Sequence, residues 1–346
     1  MGITKVEENK KLTIQEKKPL AFKKLQKHPE KIKNKESVAL IQLQYDYRCN
    51  MKCDHCAIER FKQNPGKQKL TVKDVKRIAD QADKMGLASI CISGGEPLCF
   101  PDLEDIVKAI GKERFVISMD TNGWLLTEEK IKWLVKIGID RIHLSMDGFE
   151  GNHDEFRHKK GSWQRVVKAL PFCEQYGLAV VINIVATKSL VESGQLLQQI
   201  MYVERFNQHT SIIFAKPVGT FENAKDEILN NEDIKYIQVL TKKFNCSTHL
   251  SPNFGYTFGC MCFKRHFSIT AFGDVLPCPW IPVRMGNIFE EDLETIIKRG
   301  LNNKWFSYDR KYTCHSGNCD SKFYQKIVPQ IEKASTYPAD WREIKW

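Results

Sequence analysis

Three cysteines fall within eight residues in Cys49-Asn50-Met51-Lys52-Cys53-Asp54-His55-Cys56. Three residues separate the first pair of thiols and two separate the second, so a tight loop can aim all three sulfurs at one point. Thiolates placed this way suit a soft metal or an iron–sulfur cluster. A four-iron cube held by three cysteines keeps one iron without a protein ligand, and that iron can bind something else. Zinc, or reduced core cysteines, are the other readings of the spacing alone. A second group lies near the C-terminus: Cys260, Cys262, Cys278, Cys314 and Cys319. Two of these flanking a hairpin and two more after a helix can converge on a four-cysteine site, for which zinc is again the structural alternative. Cys91, Cys99, Cys173 and Cys246 sit in apolar or helical contexts and read as core.

The elements that must position these residues follow from periodicity. Strands are expected at 38–45, 89–93, 115–119, 141–146, 179–184 and 211–215, with helices near 71–86, 102–111, 127–137, 163–176 and 189–204. Thr71 and Thr127 stand where N-caps belong, and Gly86, Gly138 and Gly177 where helices end. Strands alternating with helices imply an α/β fold, a parallel sheet with right-handed crossovers. Reactive residues then belong at the C-terminal strand ends. Four short runs fall there: the cysteine loop, Ser93-Gly94-Gly95-Glu96-Pro97, Asp120-Thr121-Asn122-Gly123, and Leu144-Ser145-Met146-Asp147-Gly148 with Arg157 beyond it. The glycine pair permits close backbone approach to a ligand, and Glu96 can receive an ammonium group. His143, alternating within an apolar strand, reads as a satisfied interior residue.

The C-x3-C-x2-C loop after the first strand resembles the signature of the radical S-adenosylmethionine (radical SAM) superfamily, and the later runs resemble further family elements in the same order. The resemblance covers about residues 36 to 320 and implies a (β/α)6 partial TIM barrel with a lateral mouth for a large substrate. It implies a first [4Fe–4S] cluster on Cys49, Cys53 and Cys56. It places S-adenosylmethionine against His55, Gly94, Gly95, Glu96, Asn122, Ser145 and Arg157. Here Glu96 takes the methionine amino group, Ser145 the ribose, and the Arg157 fork the carboxylate. Val185 and Ala186 are placed to pack on adenine.

The C-terminal cysteines resemble a small cysteine-rich SPASM or twitch domain. Cys260 or Cys262 fits as its opening ligand, with Gly273 and Cys278 closing the pattern. A full SPASM domain needs seven cysteines and five are present, so the shorter twitch form, with one auxiliary [4Fe–4S] cluster, is expected on Cys260, Cys278, Cys314 and Cys319. Cys262 is left as an alternative ligand or as a thiol that donates a hydrogen atom to a substrate radical.

Length and composition bound the rest. The expected organisation is a basic N-terminal extension over 1–35 and a barrel over 36–217. A connector over 218–256 and an auxiliary-cluster domain with its tail over 257–346 complete it. The extension is expected to hold one short amphipathic helix that caps the barrel, rather than an arm that grips substrate. No apolar run approaches the roughly 20 residues of a membrane span. The polar, lysine-rich start has no signal core, so the expected compartment is the cytoplasm, where thiols stay reduced. The formal charge of +11 reads as solvated lysine faces, and no nucleic acid is expected.

The implied function is reductive cleavage of S-adenosylmethionine to a 5′-deoxyadenosyl radical that takes a hydrogen atom from a substrate. The expected substrate is a ribosomally made peptide, to be cross-linked, epimerised or oxidised. A small molecule such as an aminosugar or cofactor precursor is the alternative. An electron donor such as flavodoxin or ferredoxin is the expected partner. A non-enzymatic thiolate protein is the remaining class.

Overall fold

The computed structural model describes residues 14–63, 67–218, 221–308 and 313–346. All six expected strands are present: β1 Leu40–Asp46, β2 Ser89–Gly94, β3 Val116–Thr121, β4 Arg141–Ser145, β5 Ala179–Ala186 and β6 His209–Phe214. Each pairs in parallel with the next, as crossover helices require.

The strand sequences explain the layering. Ile41, Leu43, Ile90, Ile92, Ile117, Met119, Ile142, Leu144, Ile182 and Ile184 alternate along the strands and are fully buried in the main core, with the helices. Their neighbours of opposite parity, Gln42, Gln44, Ser93, Asp120, Ser145 and Asn183, line one internal cavity instead. A side-chain period of two thus gives this sheet an apolar helix-facing side and a polar inner side. The polar side carries the chemistry.

Two findings depart from the expected organisation. The stretch 218–256 is more than a connector: β7, Cys246–Thr248, extends the sheet on the free edge of β6. On the other edge, β8 (His266–Ile269) pairs in parallel with β1, and β9 (Asp274–Leu276) returns antiparallel to it. The cysteine-rich C-terminal part therefore begins as the barrel sheet's own edge. The β8–β9 hairpin is the one expected between the flanking cysteines, whereas β7 is too short for alternation to reveal and the pairing of β8 with β1 is not a local signal. The helix expected over 189–204 is in fact two, Lys188–Glu192 and Gln195–Glu204. Gly194 between them takes φ 72°, a left-handed conformation that ends a helix.

The helix expected near the N-terminus is longer than its apolar residues suggested and spans Pro19–Lys33. Its lysines reach the barrel. Lys18 Nζ pairs with Asp140 and donates to Phe115 O at 3.0 Å, and Lys24 Nζ meets Asp83 at 2.7 Å. Those acceptors precede β2, β3 and β4, so the helix packs at the N-terminal strand ends, opposite the cysteine loop. No helix among the described residues is long and apolar enough to cross a membrane.

Candidate active site

β1 ends at Asp46, and the cysteine loop leaves from it. The loop is held by the end of β2: Gly95 N donates to Asp46 O and Glu96 N to Arg48 O, both at 2.8 Å. This explains the glycine pair differently from the sequence expectation. A Cβ on Gly94 would stand 2.2 Å from Asp46 O, and one on Gly95 2.0 Å from Arg48 O. The glycines admit the cysteine loop's own backbone, whereas close approach of a ligand was expected. Asp54 N bonds Phe156 O at 3.1 Å on the far side of the loop.

Cys49, Cys53 and Cys56 line one cavity together with His55, Gly94, Gly95, Glu96, Asn122, Ser145 and Arg157. The residues expected at the first cluster and its cosubstrate, Val185 among them, are therefore brought to one space, except Ala186, which packs in the main core instead. All the cysteines of the chain are free thiols. Burial pushes Cys49 up to about 11 and raises Cys53 and Cys56 as well, so without a metal these thiols stay protonated.

Glu96 is 1% exposed. Its carboxylate accepts from Thr121 Oγ1 and Asn122 N at 2.8 Å and from Leu98 N at 3.2 Å. Burial nevertheless lifts it to about 7, against these bonds. Asn122 in turn donates from Nδ2 to Asn50 Oδ1 at 2.8 Å and accepts from Trp124 N at 3.0 Å. Asn122 thus joins the β3 end to the cysteine loop.

Arg157 is buried with Asp147. Its Nε donates to Asp147 Oδ2 at 2.8 Å, Nη2 pairs with the same oxygen, and Nη1 lies 3.7 Å from Cys53 Sγ. Burial opposes the charge, yet Asp147 holds the guanidinium fully ionised. Asp147 also accepts Val185 N at 2.7 Å, and its own N–H donates to His153 Nδ1 at 2.9 Å. Asp147 lay in the quoted run but had no assigned role; a carboxylate ten residues before an arginine across a turn was the available signal. His55 stacks on Phe156 at 4.7 Å and 7°, and burial lowers it to about 4.

Beneath the cavity, Asp120 is shared. His143 Nδ1 lies 2.8 Å from its Oδ1, Cys91 Sγ 3.4 Å from the same oxygen, and Gln42 Nε2 donates to Oδ2 at 2.8 Å. Burial would raise this carboxyl, but His143 and Gln42 hold it at about 2. His143 is a satisfied interior residue, as expected. Cys91, read as apolar core, is one wall of this polar floor.

The auxiliary group differs from expectation in one member. Cys260 and Cys262 have their sulfurs 3.3 Å apart, well beyond a disulfide bond length. Cys262 also bonds Cys278, and Cys314 lies close enough to Cys260 and Cys278 for their charges to act on it. Cys319 sits elsewhere, packed by Ala215, Phe221, Ile228 and Tyr324, its sulfur 4.0 Å from Asp320. The structure therefore groups Cys262 with Cys260, Cys278 and Cys314, in place of Cys319. The reason is local: Gly317 N donates to Cys314 Sγ at 3.3 Å, and the turn this closes carries the chain away before Cys319. Cys260 and Cys262 share a thiol hydrogen bond that holds Cys260 well below its usual range, with His315 and Lys264 adding to the effect. Lys216, missed in the sequence, lines the main cavity and faces the same sulfurs.

Both groups fit iron–sulfur clusters. Each gathers thiols that have no disulfide partner, the first at the cavity's surface and the second largely buried, and the cations Lys216, Lys264 and His315 act on the second. His55 Nδ1, beside the first group, is a buried polar atom without a partner among the described residues. A site built to receive a ligand carries such atoms.

The radical SAM superfamily model matches residues 45–193, and an iron–sulfur cluster-binding (SPASM) domain model matches 260–320. The chain belongs to the radical SAM superfamily. Like other radical SAM proteins with a C-terminal SPASM domain, it uses [4Fe–4S] clusters and S-adenosylmethionine. It is 25% identical over 287 residues to the antilisterial bacteriocin subtilosin biosynthesis protein AlbA of Bacillus subtilis, covering 78% of this chain and 62% of AlbA. It is 25% identical over 309 residues to the AdoMet-dependent heme synthase of Methanosarcina barkeri, covering 81% and 86%. The structure of Streptococcus suis SuiB bound to precursor peptide SuiA superposes with TM-score 0.59 at 20% identity, covering 88% of this chain and 70% of SuiB. That likeness is one of fold. The chain spans 62% of the length of AlbA.

Proposed function

We propose that this radical SAM enzyme modifies a peptide substrate, working from the cavity above Asp120. The reading is carried by the shape of the site. A second cavity, lined by Arg60, Glu222, Ile281, Phe323, Ile331 and Tyr337, adjoins the first, and Val218 and Trp280 line both. The second cavity is a small, mostly apolar recess of about 30 Å³ beside the polar reaction chamber, and it suits the side chain of a residue next to the one that reacts in a peptide. Similarity to AlbA, a bacteriocin biosynthesis protein, and to the fold of SuiB, which binds a precursor peptide, supports the same reading.

When bound, the first cluster and S-adenosylmethionine supply a 5′-deoxyadenosyl radical able to take a hydrogen atom from carbon. Cys49, Cys53 and Cys56 hold that cluster. Glu96 receives the ammonium of the cosubstrate, and Arg157, aimed by Asp147, offers Nη1 to its carboxylate. Ser145 is placed for the ribose, and Asn122 fixes the cysteine loop against β3. Bound substrate closing the mouth of the chamber would exclude water from it. Cys260, Cys262, Cys278 and Cys314 hold the auxiliary cluster. Cys262 is then a ligand and is no longer free to donate a hydrogen atom.

The test is anaerobic reconstitution followed by S-adenosylmethionine and dithionite. Deoxyadenosine is expected from the wild type and none from Cys53→Ala. Short peptides encoded beside the gene are then supplied. Loss of two hydrogens, or deuterium uptake from solvent, supports peptide modification. A second reading, a small-molecule substrate, is favoured by the match to 86% of the heme synthase length. Turnover of a tetrapyrrole with every peptide left unchanged would establish it instead.

A further inference from the structure

Lys216 follows directly on β6 and is 5% exposed. Its Nζ donates to Phe214 O at 2.5 Å and lies 4.3 Å from the centre of the Trp280 ring. No salt bridge to a carboxylate holds it among the described residues. A buried ammonium without an anion is strongly disfavoured. Burial lowers its pKa, and the charges of Cys314, Cys278, Cys260 and Cys262 act against that and favour the ammonium.

The backbone explains the placement. A Cβ on Gly317 would stand 3.1 Å from Cys314 Sγ, 3.1 Å from Phe214 Cβ and 3.4 Å from Ala215 O, so the Cys314 turn presses on the residues just before Lys216. Cys278 is followed at once by Pro279 and Trp280, which line the same cavity as Lys216, Cys49, Cys53 and Cys56. Lys216 therefore stands in the wall between the two cysteine groups.

We propose that Lys216 is the counter-charge of the auxiliary cluster and raises that cluster's reduction potential from the cavity side. The proposal rests on the reading that Cys260, Cys262, Cys278 and Cys314 hold the cluster. Reduction adds one negative charge to a cluster, and a fixed cation in a water-poor wall favours the form that carries it. Lys264 and His315 also act on Cys260, but of these three cations it is Lys216 that lines the cavity shared with Cys49, Cys53 and Cys56. Lys216 is thus a positioning residue for charge, and it suits a cluster tuned to take up an electron beside the substrate.

The test uses full-length protein reconstituted anaerobically, with Cys49→Ala, Cys53→Ala and Cys56→Ala so that only the auxiliary cluster contributes to the paramagnetic resonance spectrum during a redox titration. In Lys216→Met the reduced-to-oxidised ratio at a fixed potential is expected to fall about tenfold, a shift of ~59 mV for a one-electron couple. Lys216→Arg is expected to stay within about threefold of the parent, a shift of less than ~30 mV. A parent-like potential in both Lys216→Met and Lys216→Gln, with iron content unchanged, would overturn the proposal. If both uncharged variants lose the cluster and the Arg variant keeps it, the charge is needed to hold the cluster and the proposal stands. If the Arg variant loses it too, the lysine acts by shape and the proposal fails. A parent protein without a second four-iron cluster would instead defeat the ligand reading beneath it.

Discussion

Asn122 Nδ2 donates to Asn50 Oδ1 at 2.8 Å, while Asn122 N donates to Glu96 at the same distance. One side chain and its own backbone thereby connect the ends of β2 and β3 to the loop that carries Cys49 and Cys53. The bond acts on orientation, since Asn122 replaces no cysteine. Asn122→Ala is expected to retain the first cluster's iron yet lower deoxyadenosine formation by about 10- to 100-fold, the usual range for residues that orient ligands. Iron assay and product quantification on the same preparation check it. Unchanged turnover would show that the loop holds itself.

Glu96 gives a pH signature. Its carboxyl is raised from 4.5 to about 7 by burial, so the folded chain binds this proton more tightly than the unfolded chain does. The associated stability is full below pH 4.5 and is lost as pH rises through about 7. Metal-free wild type is expected to melt at lower temperature at pH 8 than at pH 5.5, with a smaller difference in Glu96→Gln. Pairing with the cosubstrate ammonium reverses the shift, because the ionised form is then favoured. Binding at pH 6 should therefore release a proton, and binding at pH 8 much less. Calorimetry in buffers of different ionisation heat measures this.

Much of the fold was legible because alternating strands, caps and the three-cysteine spacing are local signals. The cavity-lining residues Glu96, Asn122, Ser145 and Arg157 were legible because each follows directly on a strand or lies a fixed distance beyond one. What was hidden depends on where separate loops meet. Gly94 and Gly95 were marked as special, but only the structure shows that Asp46 O and Arg48 O occupy the space a side chain would need. Lys216 is one lysine among many in sequence and becomes distinct only once it is buried against four sulfurs. The strand β7 is too short to announce itself, and the hairpin of β8 and β9 was legible while its docking on β1 was not. The match of residues 45–193 and 260–320 to the two domain models agrees with the family resemblance read from the motifs.

Asp147 carries Arg157. The pair is 5% and 7% exposed, and Asp147 has a second load in Val185 N. Removing the carboxylate leaves a buried guanidinium without its anion. Asp147→Ala is expected to cost ~3–5 kcal/mol of stability, whereas Arg157→Lys keeps a charge but loses the two-pronged contact. The lysine variant should therefore fold and bind S-adenosylmethionine more weakly, with deoxyadenosine formation restored at high cosubstrate concentration. Thermal melts and a cosubstrate titration separate the two effects. Equal losses of stability in both variants would mean that the fork, and not the charge, holds the loop.

Cys262 and Cys319 divide the two ligand sets most sharply. Cys262 stands 3.3 Å from Cys260 and bonds Cys278, while Cys319 packs among Ala215, Phe221 and Ile228. A four-cysteine cluster needs four converging sulfurs, and here the Cys260–Cys262 loop supplies two, so with Cys278 and Cys314 the set is complete without Cys319. Cys262→Ala is therefore expected to lose about half of the iron and sulfide of the reconstituted protein, keeping the first cluster and its S-adenosylmethionine cleavage. Cys319→Ala should keep both clusters. Because thiolate-to-iron charge transfer dominates the visible absorbance, the same comparison can be made by spectrum as well as by assay. The opposite pattern, iron lost with Cys319 and kept without Cys262, would restore the ligand set expected from the sequence and free Cys262 for hydrogen-atom donation.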